Sequence, residues 1–163
     1  MIQKFGKRKS EEIDFNIFCL YTVYLLKSLN HTLTGAADMS KAHGTHILAD
    51  YTGFFPTVKD VAKWMLKLME HAIDESTAKR VHSHVEIFDG TTSPPGFAAV
   101  VLLDESHLTA HCYSDKGWLS IDCFTCGTTD TASIIDTIDD ELQIISPDIK
   151  LEKRKAESRF TNR

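Results

Sequence analysis

Long apolar runs are missing from this 163-residue sequence. The longest, residues 17–26, is broken by Thr22 and is half of the ~20 residues that a membrane-crossing helix needs. Cysteine is scarce. Cys19, Cys112, Cys123 and Cys126 are too few and too unevenly spaced for a disulfide framework in a chain this long, which points to a reducing, cytoplasmic setting. Repeats and low-complexity stretches are absent, and a composition of 42% hydrophobic, 25% charged and 9% aromatic residues excludes wholesale disorder, collagen and coiled coil. Positive charge is not in surplus either: the formal net charge is −5, with +2 on residues 1–12, +3 on residues 151–163 and −10 on the body between them. An acidic body with two short basic ends binds phosphate backbones poorly, so neither nucleic acid nor membrane is an expected partner.

What is present is enough for one domain. At this length a chain buries roughly 70% of the surface it exposes when unfolded. Residues 1–38 read as an N-terminal extension. A basic start, the apolar stretch and Gly35-Ala36-Ala37 imitate a signal peptide, but Glu11, Glu12 and Asp14 sit where such a peptide should be positive. Met39 is a candidate alternative start, and residues 39–163 form the expected domain. There, residues 46–51 form a short apolar strand stopped by Gly53 and Pro56. Val58, Val61, Met65, Leu68, Met69 and Ala72 recur at helical steps, which predicts a helix over 57–74 capped by Thr57. Residues 79–88 alternate as a half-buried strand, with His82, His84, Glu86 and Phe88 on one side. Residues 89–96 form a loop, and 97–103 are a wholly apolar strand. Residues 106–113 and 118–124 pair through the turn Ser114-Asp-Lys-Gly117. A helix over 131–142 and a lysine-bearing edge strand over 149–153 complete an α+β two-layer sandwich, an antiparallel sheet packed against helices.

Three polar features interrupt apolar surroundings: Asp104-Glu-Ser-His107 after the apolar strand, His111, and Cys126 in Cys123-Phe-Thr-Cys126-Gly127. Ser106 and His107 point to opposite faces of a strand, and Ser106 and His111 differ in parity, so they share a pocket only if the backbone turns at Ser106. A turn centred near Asp115 and Lys116 sets the register: Ser106 falls near Thr125 and Cys126, and His111 near Ser120. One Cys-x-x-Cys pair without a second is weak support for structural zinc. It also lies at a strand end rather than at the helix N-terminus that a redox pair favours. His82 and His84 read as strand histidines rather than metal ligands.

Glu105-Ser-His-Leu-Thr-Ala-His111 followed by Asp122-x-Phe-Thr-Cys-Gly127 resembles the small prokaryotic type of S-adenosylmethionine decarboxylase, whose stretches read E-S-H-x-(S/T)-x-H and D-x-F-T-C-G at the same interval. The likeness spans residues 43–127. It implies a pyruvoyl enzyme made from a proenzyme by self-cleavage between Glu105 and Ser106. The Ser106 hydroxyl attacks the Glu105 carbonyl, the resulting ester eliminates, and the dehydroalanine hydrolyses to a pyruvoyl group at position 106, leaving a β chain and an α chain. It further implies that the pyruvoyl group forms a Schiff base with the substrate amine, with neither pyridoxal phosphate nor metal. His111 would handle the proton on the Ser106 α-carbon, and Cys126 would protonate the product carbanion. Tyr113, Asp115 and Phe88 would bind substrate, with Phe88 against adenine. A homodimer with sites between protomers, and a role in spermidine and other polyamine synthesis, complete the expectation.

Departures from the family pattern are specific. Tyr113 and Asp115 stand where many members carry Trp and Glu, and Ala98 stands where relatives have a serine that assists processing, with Ser93 or Thr92 as alternative donors. The remaining readings are a pyruvoyl decarboxylase of ornithine or arginine on the same fold, and a homologue that keeps the fold as a regulatory subunit without processing.

Overall fold

The computed structural model describes residues 43–161. The expected N-terminal extension, with Cys19 and Met39, lies outside the described residues. Along the described chain run β1 (Gly44–Thr52), α1 (Val61–Asp74), β2 (Arg80–Phe88), β3 (Gly96–Leu103), β4 (Ser106–Tyr113), β5 (Trp118–Cys126), α2 (Thr131–Ile145) and β6 (Lys150–Arg159). The strands form one six-stranded sheet in the order β2-β3-β4-β5-β1-β6, antiparallel at every pairing. β2 to β5 form a meander, and β1 is inserted between β5 and the C-terminal β6. This is the expected α+β two-layer sandwich. No described helix is long and apolar enough to cross a membrane.

Alternation along the strands decides which face is covered. Ile47, Ala49, Val101, Leu108, Ile121 and Cys123 are buried in one cluster with Met65, Met69 and Ile73 of α1 and Ile134, Ile138 and Leu142 of α2. Each large aliphatic side chain buried in this way stabilises the fold by about 1.5–3 kcal/mol relative to exposure. The residues between them point to the opposite face, which no described element covers. Leu102, Tyr113 and Trp118 stand on it at 44%, 43% and 50% exposure.

The helix ends follow side-chain chemistry. α2 starts where Asp130 accepts the backbone N–H groups of Ala132 and Ser133 at 3.0 and 3.2 Å, as expected of its Thr/Asp start. α1 does not start at Thr57. Thr57 precedes the helix and is exposed, and Asp60 is the cap, accepting the Lys63 N–H at 3.3 Å. A carboxylate there also offsets the positive end of the helix, so the helix is four residues shorter than its apolar spacing predicted. β6 departs the other way, running ten residues where five were predicted. An edge strand of mostly charged residues carries no alternating apolar signal, yet its backbone pairs along all of β1.

β6 is fastened to α2 by Arg154. Its guanidinium donates to Asp136 at 2.6 Å, to Asp139 at 3.3 Å and to the Ala132 carbonyl at 3.3 Å. The Tyr51 hydroxyl of β1 donates to the same Asp139. Burial raises the pKa of the Asp139 carboxyl and of the Tyr51 hydroxyl, so this cluster joins three elements at the cost of partly dehydrating an acid.

Candidate active site

β3 turns into β4 in two residues, Asp104 and Glu105, with Leu103 paired to Ser106. Glu105 takes φ 75°, a left-handed conformation that costs a non-glycine residue roughly 1–2 kcal/mol. The strained residue therefore supplies the carbonyl of the 105–106 peptide bond. That carbonyl is met by a second residue from the neighbouring hairpin strand. His107 pairs with Phe124 across β4 and β5, so Ser106 falls beside Thr125 as the turn arithmetic predicted. The Cys126 thiol donates to the Glu105 carbonyl oxygen at 3.3 Å. Glu105, Ser106 and Cys126 are brought together.

His111 is not part of that group. β4 is regular from Ser106 to Tyr113, and the turn precedes Ser106. Five residues of extended chain span ~17 Å, more than a histidine side chain can bridge, and the two residues lean to opposite faces. His111 instead pairs with Ala98 of β3 on one side and Ser120 of β5 on the other. It lines a cavity of about 270 Å³ on the uncovered face, with Asp50, Tyr113, Trp118, Ser120 and Glu152 among its walls. The Tyr113 and Trp118 rings meet edge to face at 6.3 Å, and the Lys116 ammonium lies 4.6 Å from the Trp118 centroid. Phe88 joins this end through register. It pairs with Gly96, which pairs with Tyr113, so only a glycine separates the two aromatic residues on one face. A Cβ on Gly96 would lie 1.9 Å from the Cys112 carbonyl oxygen, which keeps the space between them open.

The profile of the family described as S-adenosylmethionine decarboxylase matches residues 45–155, from β1 into β6. The chain belongs to the S-adenosylmethionine decarboxylase family. It is 36% identical over 104 residues to S-adenosylmethionine decarboxylase proenzyme 2 of Bacillus cereus, covering 64% of this chain and 80% of that protein. It is 30% identical over 126 residues to the S-adenosylmethionine decarboxylase proenzyme of Brevibacillus brevis, covering 66% of this chain and 92% of that one. The crystal structure of the adenosylmethionine decarboxylase from Aquifex aeolicus superposes with a TM-score of 0.57 at 27% identity, over 76% of this chain and 95% of that chain.

Other residues predicted for an S-adenosylmethionine decarboxylase site are placed as follows. Asp115 lies in the exposed β4–β5 turn and is not a wall of the His111 cavity; the carboxylates there are Asp50 and Glu152. Ser93 and Thr92 lie in the exposed β2–β3 loop, whereas the hydroxyl directly across from His111 is that of Ser120. Cys123 and Cys126 point to opposite faces of β5 and are ~10 Å apart along the strand, beyond the Cα separation that a disulfide spans. Burial pushes the Cys123 thiol up to about 12, which leaves it inert, while Cys126 is partly exposed. His82 and His84 stand on the exposed edge strand. Asp50, Trp118, Ser120 and Glu152 had no signal in the linear sequence. They meet only because β1 inserts beside β5 and β6 pairs with β1.

Proposed function

We propose that this protein is a self-processing, pyruvoyl-dependent decarboxylase of S-adenosylmethionine, supplying an aminopropyl donor for polyamine synthesis. The observation that carries the reading is the Cys126 thiol donating to the carbonyl of a left-handed Glu105 directly before Ser106. Attack by the Ser106 hydroxyl turns that carbonyl oxygen into an oxyanion, and a donor already aimed at it stabilises the charge as it develops. Breaking the chain releases the backbone strain held at Glu105. The amide thus becomes an ester, and loss of the Ser106 α-proton expels the Glu105 carboxylate. Water then converts the dehydroalanine to a pyruvoyl group and ammonia. The pyruvoyl carbonyl, once made, supplies the electrophile for the substrate amine and the sink for the electrons left by CO₂. Cys126, beside position 106, holds the proton that quenches the carbanion.

His111 acts in this scheme from a second copy, because within one protomer β4 holds it ~17 Å from Ser106. The uncovered sheet face, with Leu102, Tyr113 and Trp118 exposed on it, is the surface through which two protomers pair. The substrate assignment rests on the cavity. Two aromatic rings beside two carboxylates suit a flat base and a sulfonium cation, with Tyr113 and Phe88 flanking the adenine. Its proposed compartment is the cytoplasm, which suits three free cysteines among the described residues.

Denaturing electrophoresis of the purified chain tests the reading: two fragments of 105 and 58 residues are expected, and a single band that never cleaves overturns it. Release of CO₂ from S-adenosylmethionine, compared with ornithine and arginine, tests the substrate.

A further inference from the structure

His111 sits in a row of side chains that crosses four strands of the uncovered face. Ala98 is its partner on β3 and Ser120 its partner on β5, and Ser120 is paired in turn with Asp50 of β1. Directly opposed residues hold their Cβ atoms about 4.5–5.5 Å apart, a gap that a hydroxyl can bridge. His111, Ser120 and Asp50 also line the same cavity of about 270 Å³, so their side chains converge on one space rather than merely sharing a register. On the other flank, Ala98 offers only a methyl group.

The donor and acceptor inventory of the row allows one chain that matches all three side chains. An ionised carboxylate only accepts, so in that chain Asp50 would take the Ser120 O–H. The Ser120 oxygen would then accept the single N–H of a neutral imidazole, leaving the other ring nitrogen bare. We propose that Ser120 and Asp50 are positioning residues that fix the tautomer of His111 and so keep its second nitrogen available as a base. This rests on the processing scheme given above, in which that nitrogen takes the α-proton of residue 106 of a second copy. The electron pair of the C–H bond forms the Cα=Cβ double bond, the Cβ–O ester bond breaks, and its electrons leave on the Glu105 carboxylate. The proton passes from His111 to solvent.

The test has two arms, both on the full chain. Ser106→Ala protein cannot form the ester, so its His111 is read by long-range proton–nitrogen spectra without any processing. A single tautomer is expected there, becoming a mixture in Ser120→Ala and in Asp50→Asn. Adding Ala98→Ser to Ser120→Ala is expected to restore a single tautomer, because residue 98 has the Glu86 carboxylate as its outer neighbour just as Ser120 has Asp50. In chains that retain Ser106, Ser120→Ala is expected to slow fragment formation about 10- to 100-fold, with Ala98→Ser recovering it. A tautomer unmoved by Ser120→Ala and Asp50→Asn overturns the proposal, as does an unchanged cleavage rate in Ser120→Ala. A wild-type chain that never cleaves defeats the processing scheme alone, and the spectra still decide the role of Ser120 and Asp50.

Discussion

Replacing Cys126 separates two jobs that the scheme gives to one thiol. In the resting protein its Sγ lies 3.3 Å from the Glu105 carbonyl oxygen, a neutral hydrogen bond worth about 0.5–1.5 kcal/mol net. The contact strengthens as that oxygen becomes negative. A backbone or amide donor in such a position is worth about 2.7–4 kcal/mol. A thiol is a weaker donor and this one is partly solvated, so about 1.5–2.5 kcal/mol is the reasonable share. At 1.36 kcal/mol per decade, Cys126→Ala should then slow cleavage about 10- to 100-fold. Cys126→Ser keeps an O–H aimed at the same oxygen and should cleave within about fivefold of the wild type, by the same conversion. A hydroxyl is a far poorer acid than a thiol, however, so the processed serine enzyme should lose roughly 10²- to 10⁴-fold in CO₂ release, the usual contribution of a positioned proton donor. Time courses on denaturing gels read the first step, and CO₂ release from S-adenosylmethionine reads the second. Cleavage of Cys126→Ala at the wild-type rate would refute the electrostatic argument, and equal losses in both steps for Cys126→Ser would refute the division of labour.

Three further outcomes follow from the packing. Arg154→Ala strips the counter-charge from the partly buried Asp139 and Asp136; it should cost about 2 kcal/mol, less than the loss of a fully buried partner, and lower Tm by about 6–10 °C, whereas a shift under about 2 °C would contradict that role. The pKa of His46 is lowered, chiefly by burial and secondarily by the Arg159 and His107 charges, against the opposing pull of Asp122. The folded state therefore binds that proton more weakly than the unfolded chain, and stability is lost as pH falls below the ordinary value of 6.5. Urea midpoints should drop on acidification, and His46→Gln should flatten the drop; parallel slopes would exclude the residue as its source. Alkylation of the folded protein followed by peptide mapping should mark Cys126 ahead of Cys112 and Cys123, whose thiols burial pushes up; prompt labelling of Cys123 would contradict its inward orientation.

The hairpin that sets Cys126 against Glu105 was legible because its information is local. A four-residue turn fixes the register of β4 against β5, and register alone carries Cys126 to position 106. The His111 cavity was not legible, because its walls come from strands far apart in sequence: Asp50 from β1 and Glu152 from β6 reach it only through the insertion of β1 beside β5. Asp115 was named from the family resemblance, and the structure places it in the exposed β4–β5 turn, outside the lining of that cavity. Parity correctly marked Ser106 and His111 as incompatible on one strand, and the regular β4 keeps them apart within one protomer. Thr57 was mistaken for the cap because apolar spacing continues through Val58, whereas the backbone is settled by which side chain reaches a free N–H, and Asp60 does.

The most direct measurement is borohydride reduction of the purified protein in the presence of S-adenosylmethionine, followed by mass spectrometry of the polypeptide beginning at position 106. This fragment should exist, the two fragments together should weigh the precursor plus one water less one ammonia, and reduction should add the substrate-derived amine to the fragment beginning at 106. An intact 163-residue chain, or a fragment that starts with an ordinary serine and takes up nothing, would contradict it.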